Sequence, residues 1–391
     1  MKTLRRTWAQ IDLDHLEHNY RAIRAHLPTD CAFLGVMKAD AYGHGAVPVS
    51  AALSELGAEY LAVSNLDEAV QIRRGGIRTP ILILGYTPPE YADTLVFMGI
   101  TQEVHSLAYA RALDDALSGT NYRLNVHLKL DTGMTRLGFF AYGEDNELAD
   151  AEQVARLEHL HIEGIFTHFC SADSLAEADA AYTRGQFEHY VRALAQLEAA
   201  GIRPELRHCA NSGAALLHPE YALDMARGGI ALYGLLPSAD AAGIVDLKPV
   251  MSLHTSIAQI RDIPAGSEIS YGRTFRADKP MRIAVLPIGY ADGLPRSLSS
   301  KASFRLNGQN VPIIGRICMD MCMVDITGVK AEQGDTLTLF GYDEAGTHVP
   351  CEHLAETADT IGYELVCAVS KRIPRIYIQG GKQSEILQYI V

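Results

Sequence analysis

Residues 32–45 read AFLGVMKADAYGHG. An apolar run passes through a lysine into Asp40, Tyr42 and His44 set among alanines and glycines. A short unbroken apolar run fits a strand buried on both faces, and a polar, glycine-bearing tail fits the loop after it. The unit recurs: 60–64 (YLAVS), 80–86 (PILILGY), 101–105 (TQEVH), 123–131 (RLNVHLKLD), 161–169 (HIEGIFTHF), 205–211 (ELRHCAN) and 222–227 (ALDMAR) are further candidate strands. Helical segments lie between them, the clearest at 178–200, stopped by Gly201. Eight strands alternating with helices place the chain in the α/β class and predict an N-terminal (β/α)8 TIM-type barrel over 12–238. A doubly wound open sheet is the alternative, and the strand count favours the barrel.

At 237–243 (PSADAAG) the pattern breaks into what reads as a linker. Short alternating strands follow at 253–261, 281–288, 311–317, 321–326 and 335–341, with helices at 350–359 and 364–370. A second, mainly β domain over 239–391 is expected, joined by an N-terminal strand from 1–11.

The chain of 391 residues is 48% hydrophobic and 21% charged, with a formal net charge of -13. That balance opposes a general nucleic-acid surface, which needs clustered Lys and Arg. Seven cysteines without a CxxC pair argue against a secreted disulfide framework. Cys318 and Cys322 find no histidine or cysteine cluster to complete a zinc site, so no metal is expected. The N-terminus lacks the apolar region of a signal peptide and no stretch suits a membrane span, so a cytoplasmic location is expected.

Between residues 12 and 236 the only lysines are Lys38 and Lys129, and both sit on apolar strands. Burying an ammonium is costly and lowers its pKa, which Schiff-base chemistry exploits. For a lone strand lysine a buried ion pair, Lys38 with Asp40 for example, is the commoner reading, and the surrounding constellation shifts the balance. Barrel enzymes gather their catalytic groups where strands end. Those positions here carry Lys38, Asp131 to Arg136, His168, Asn211-Ser212-Gly213 and Arg227-Gly228-Gly229-Ile230. The loops after the last two barrel strands often cradle phosphate. A lysine beside a phosphate cradle is the minimal specification for pyridoxal 5'-phosphate. Arg227 at its pyridine nitrogen would keep that nitrogen unprotonated and suit simple proton exchange.

Val36-Met37-Lys38-Ala39-Asp40-Ala41-Tyr42-Gly43-His44-Gly45 resembles the cofactor-lysine signature of the alanine racemases. Lys129 to Gly138, Thr167-His168-Phe169, Asn211-Ser212 and Arg227 to Gly234 are similar to further blocks of that family, in order. So are Ser270-Tyr271-Gly272, Pro287 to Gly293 and Gly315 to Asp320, the last including Cys318.

The resemblance implies interconversion of L- and D-alanine, supplying D-alanine for peptidoglycan, by a head-to-tail homodimer with shared sites. Lys38 would carry the cofactor as an aldimine and exchange a proton on one face of the substrate, with Tyr271 of the partner on the other. Two opposed bases suit inversion through a planar carbanion. His168, held by Arg227, would assist the tyrosine. Arg136 and the Met319 backbone would hold the substrate carboxylate. Tyr42, Ser212, Gly228, Ile230 and Tyr363 would contact the phosphate, with Arg136, His168 and Asn211 also at the cofactor. The family lysine matching Lys129 is often carbamylated, and its anion would orient Arg136. Cys318 and Asp320 flank Met319 in a supporting role. Tyr271, Tyr290 and Tyr363 would narrow an entrance whose outer part matches Asp173, Arg296, Arg316 and Ile361. The family commonly has proline where Gly229 stands, and glycine is expected to loosen the phosphate turn. A broader serine/alanine racemase and a barrel-type decarboxylase using the same cofactor are the alternative functions.

Overall fold

A computed structural model describes residues 6–390. These fall into two compact units. One comprises Glu17–Ala41 and Ala46–Leu247; the other comprises the described residues up to Leu16, Tyr42–Gly45 and those from Lys248 onward.

In the first unit, eight parallel strands run in the order Met225–Gly228, Ala32–Val36, Tyr60–Val63, Ile81–Ile83, Ile100–Val104, Leu124–Asp131, Leu160–Phe166 and Leu206–His208. Each matches one of the apolar runs read from the sequence. The seam between the last strand of that order and the first is closed without a ladder. Asp224 N–H donates to Arg207 O and Arg227 N–H to Ala210 O, both at 3.0 Å. The Arg207 guanidinium also grips the Asp224 carboxylate through two nitrogens at 2.7 and 2.9 Å. The sheet is therefore a nearly closed barrel rather than an open one.

Small barrels are usually filled by branched apolar side chains. Here Phe33, Leu61, Leu82, Leu128 and Ile165 are buried, but so are Glu103, His127, Lys129, His208 and Arg227. A barrel holding that many ionisable groups is built around something other than packing.

The segment read as a linker is part of the barrel unit. Asp240 accepts the Leu175 N–H at 2.7 Å, and Ala241 is buried. Its small and polar residues serve a packed turn, which composition alone does not distinguish from a tether.

The second unit is mostly β. Its large sheet runs Gln309–Pro312, Ser303–Leu306, Thr336–Tyr342, Met251–Ser256, Thr7–Asp12, Arg375–Gln379 and Lys382–Leu387. Thr7–Asp12 supplies the N-terminal strand; the first five residues of the expected range lie outside the described residues. The expected strand 253–261 is two strands. Met251–Ser256 belongs to the large sheet, and Gln259–Ile263 belongs to a three-stranded sheet with Met281–Leu286 and Cys322–Asp325. Between them Ile257 N–H donates to Asp335 O and Ala258 N–H to Val285 O, so the chain changes sheets there. The expected strand 311–317 ends at Pro312, apart from one bridge at Ile313, and Gly315–Asp320 is a loop. No helix among the described residues is long and apolar enough to cross a membrane.

Candidate active site

Lys38 stands just past the strand Ala32–Val36, half-buried. The buried Tyr233 hydroxyl donates to Val36 O at 2.7 Å and holds that strand end. Past the lysine the backbone turns left-handed: Ala39, Asp40, Ala41 and Tyr42 have φ of 53, 57, 54 and 51°. None is glycine and only Asp40 is of a type that visits this region readily, so each of the other residues costs about 1–2 kcal/mol. Local bonds offset the strain. Glu68 accepts the Ala39 N–H at 2.7 Å, and Asp40 accepts the Ala46 N–H at 2.8 Å. Asp40 thus braces the turn. Strain held in this way concentrates at functional sites.

Four cations converge on one histidine. Burial holds the His168 pKa well below the ordinary imidazole value, and Arg227, Arg136, Lys129 and Lys38 push it further down. His168 is therefore neutral at pH 7. An Arg227 Nη donates to His168 Nδ1 at 3.1 Å, so the ring proton sits on Nε2. Arg227 also donates to the carbonyls of Thr167 and Cys209, each at 3.0 Å. Burial lowers its pKa to about 10, which leaves it charged at pH 7. Lys129 is buried with its Nζ 5.7 Å from the Phe166 ring centroid, and burial lowers its pKa to about 8 despite the opposing charge of Glu103. A mouth with this much positive charge suits a ligand carrying phosphate and carboxylate.

Arg136 is exposed at the end of a loop governed by Asp131. One Asp131 carboxylate oxygen accepts the backbone N–H groups of Gly133, Met134 and Thr135, each at 3.0 Å. We expect Asp131→Ala to strand those donors and lower stability by about 1–3 kcal/mol. A urea melt should show a lower midpoint at unchanged slope.

The loops after the last two barrel strands interlock. Asn211 caps the turn Ser212–Leu217 by accepting the Ala214 N–H at 3.0 Å. Ser212 Oγ accepts the Gly229 N–H at 2.9 Å, leaving its own proton to donate. A Cβ on Gly228 would lie 2.2 Å from the Phe33 ring, so the backbone there must be bare. Ile230 opens the buried turn that follows. The Gly229 N–H ties the two loops together, a bond proline cannot make. Asp173 packs against the first turn of Ser212–Leu217, where a Cβ on Gly213 would come within 2.9 Å of it.

The remaining candidates belong to the second unit. Tyr271 sits at the tip of a two-stranded hairpin, Glu268–Ile269 with Phe275–Arg276, and is 70% exposed. Ile269, Met281, Ile283 and Ile314 form a buried cluster that anchors the hairpin base. Ser270 Oγ donates to Arg316 O at 2.6 Å, holding the tip to the Gly315–Asp320 loop. That loop is joined to the Pro287–Gly293 block: Tyr290 N–H donates to Cys318 O and Ala291 N–H to Met319 O, each at 3.0 Å. A Cβ on Gly289 would lie 2.3 Å from both carbonyls. Asp320 is paired with Arg372 at 2.8 Å. Arg296 opens a short turn ending at Leu298. Tyr42 is buried with its ring 6.3 Å from that of Tyr363, and Ile361, two residues before Tyr363, is exposed.

The family model of the alanine racemase N-terminal domain matches residues 11–237, and that of the alanine racemase C-terminal domain matches residues 250–377. The chain belongs to the alanine racemase family. It is an isomerase with alanine racemase activity. It is 47% identical to the alanine racemase of Desulfovibrio desulfuricans, covering 96% of this chain and 99% of that one. Among solved structures it superposes on the alanine racemase of Clostridium difficile with a TM-score of 0.94, at 37% identity and covering all of both chains. The Bacillus anthracis alanine racemase with bound L-Ala-P gives 0.92 at 33% identity, covering 100% of this chain and 99% of that one. The family depends on pyridoxal 5'-phosphate.

Glu68, which braces the turn after Lys38, was not singled out from sequence, because it lies on a helix surface and offered no signal there. Asp131, one of the strand-end positions read from sequence, governs the Arg136 loop, and His208, at another strand end, accepts from Arg227.

Proposed function

We propose that this chain racemises alanine by two opposed bases, Lys38 and the Tyr271 of a second copy, with pyridoxal 5'-phosphate bound in the barrel mouth. The observation that carries the reading is the charged Arg227 donating to a neutral His168 at 3.1 Å, with Lys38 and Arg136 following the ends of other barrel strands. Those charges, the bare backbone at Gly228 and the free donor of Ser212 fit the cofactor's phosphate and ring. When bound, the cofactor delocalises the electron pair left when the substrate's α-proton departs.

The chain's residues do the rest. Lys38 Nζ would hold the cofactor and move the proton on one face. Ser212, Gly228 and Ile230 would bind the phosphate, with Tyr42 and Tyr363 completing its surroundings and Asn211 fixing the turn that carries Ser212. Arg227 would meet the pyridine nitrogen and, being charged, keep that nitrogen unprotonated. Arg136 and the Met319 N–H would orient the substrate carboxylate. A neutral amine is what carbamylation needs, and the pKa of about 8 at Lys129 makes that form available near neutral pH. The carbamate would steady Arg136.

Tyr271 on an exposed hairpin supports a homodimer in which the mainly β unit from Lys248 onward reaches the partner's barrel. Exposed Tyr290, Met319 and Ile361 in the same unit fit that face, with Arg296 and Arg316 at its rim and Asp173 on the barrel side. His168 Nε2–H would then donate to the tyrosine oxygen. We place the enzyme in the cytoplasm, where its seven free thiols remain reduced.

The test is incubation with L-alanine and added pyridoxal 5'-phosphate, following D-alanine with a stereospecific assay. D-alanine supports the reading; its absence with aldehyde-cofactor absorbance retained would mean a correct pocket and another reaction. A phosphate-loop prediction goes with it. Gly229→Pro removes the N–H bonded to Ser212 and should weaken cofactor binding about tenfold, roughly one hydrogen bond. Fluorescence titration of cofactor into stripped protein would show unchanged affinity if Gly229 were passive.

A further inference from the structure

A line of hydrogen bonds leaves Arg227 and runs down the barrel interior. An Arg227 Nη donates to His208 Nδ1 at 3.0 Å. His208 Nε2 and His127 Nδ1 are 2.9 Å apart. His127 Nε2 lies 3.2 Å from Glu163 Oε2. The two ends fix its direction. A guanidinium cannot accept a hydrogen bond, and a carboxylate cannot donate one. His208 must therefore offer a lone pair at Nδ1 and a proton at Nε2. His127 must accept at Nδ1 and donate from Nε2.

The surroundings are built for this line. His127 and His208 are both fully buried. Gly164 faces His127 across neighbouring strands, and a Cβ there would lie 2.5 Å from the ring. Phe166 stacks on His208 with centroids 4.9 Å apart and planes 3° apart. Glu163 is fixed by Thr101 Oγ1 at 3.1 Å and Asn125 Nδ2 at 3.2 Å. Burial favours a protonated Glu163, but bonds from His127 and Tyr60 outweigh it and hold the pKa below the ordinary carboxylate value. Burial keeps both histidines neutral. The acceptors of Arg227 among the described residues are carbonyls and imidazoles, with no carboxylate among them. Glu163 is thus the anion to which this buried cation is connected, through two rings.

We propose that Glu163, His127 and His208 form a one-directional relay that seats Arg227, making Glu163 a positioning residue for chemistry at the other end of the barrel. This rests on the racemase reading above. If the relay reverses, His208 presents a proton to Arg227, two donors face each other, and the guanidinium leaves its seat. His168 then loses the bond that keeps its proton on Nε2.

Glu163→Gln is the informative change, because glutamine keeps the shape but can donate as well as accept. The holoenzyme variant should lose about tenfold in kcat for alanine with KM within about twofold of native. His208→Asn should lose at least as much, and the double variant no more than His208→Asn alone, since both act through one line. Costs that multiply would overturn the relay.

A second measurement needs neither activity nor a folded variant. Two-bond ¹H–¹⁵N spectra of the native protein's histidine rings, without cofactor, should show His127 and His208 both as neutral Nε2–H tautomers. Either ring as Nδ1–H or as imidazolium would overturn the proposal. Native tautomers in a protein that racemises nothing would instead leave the relay standing and remove the racemase reading.

Discussion

Lys38→Ala abolishes racemisation, with an expected loss of at least about 10⁴-fold, because one side chain supplies both the covalent hold on the cofactor and the proton transfer on one face. Fold should survive. Lys38 is half-buried and follows a strand end fixed by Tyr233, and the left-handed turn is braced by Glu68 and Asp40 through backbone N–H groups. Two measurements check this together. Borohydride treatment followed by mass spectrometry should place the reduced cofactor on the peptide containing Lys38 in the native protein and nowhere in the variant. A small added amine should restore part of the variant's turnover, since it can stand in for the lost base. Racemisation by the variant above a thousandth of the native rate would assign the proton transfer to another group.

Tyr271→Phe should lower turnover by about 10²- to 10⁴-fold, the range of a single positioned acid or base. The tyrosine is 70% exposed on a hairpin anchored by the cluster around Ile283, so loss of its hydroxyl should leave the melting temperature unchanged. A second base has a signature beyond rate. With α-deuterated alanine, the variant should still wash out deuterium from one enantiomer through Lys38, without inverting it. Equal loss of washout from both enantiomers would show that Tyr271 serves binding rather than proton transfer.

The barrel was legible because its eight strands are apolar runs ending in polar loops, and fully buried parallel strands can hardly be written otherwise. Lys38 and Lys129 stood out for the same reason: an ammonium on such a strand needs an explanation. Other features left less trace. In Ala39-Asp40-Ala41-Tyr42 only Asp40 is of a type that adopts positive φ readily, so a left-handed run of four comes from the bonds at its two ends. The change of sheet at Ile257 and Ala258 is invisible in an alternating pattern that runs straight through it. Gly229 read as slack because a glycine's flexibility is local, whereas its N–H bond to Ser212 joins loops 17 residues apart. His127 and Glu163 sat within strands already recognised. What joined them was the closure of the barrel, which no single strand records.

The shared site is tested most directly by mixing two inactive proteins. Lys38→Ala and Tyr271→Phe are dissociated together and allowed to reassociate. Each mixed dimer then has one site with both lesions and one with neither. Random pairing should restore about one quarter of native activity per subunit. A mixture no more active than its two components would contradict a site built from Lys38 of one chain and Tyr271 of the other.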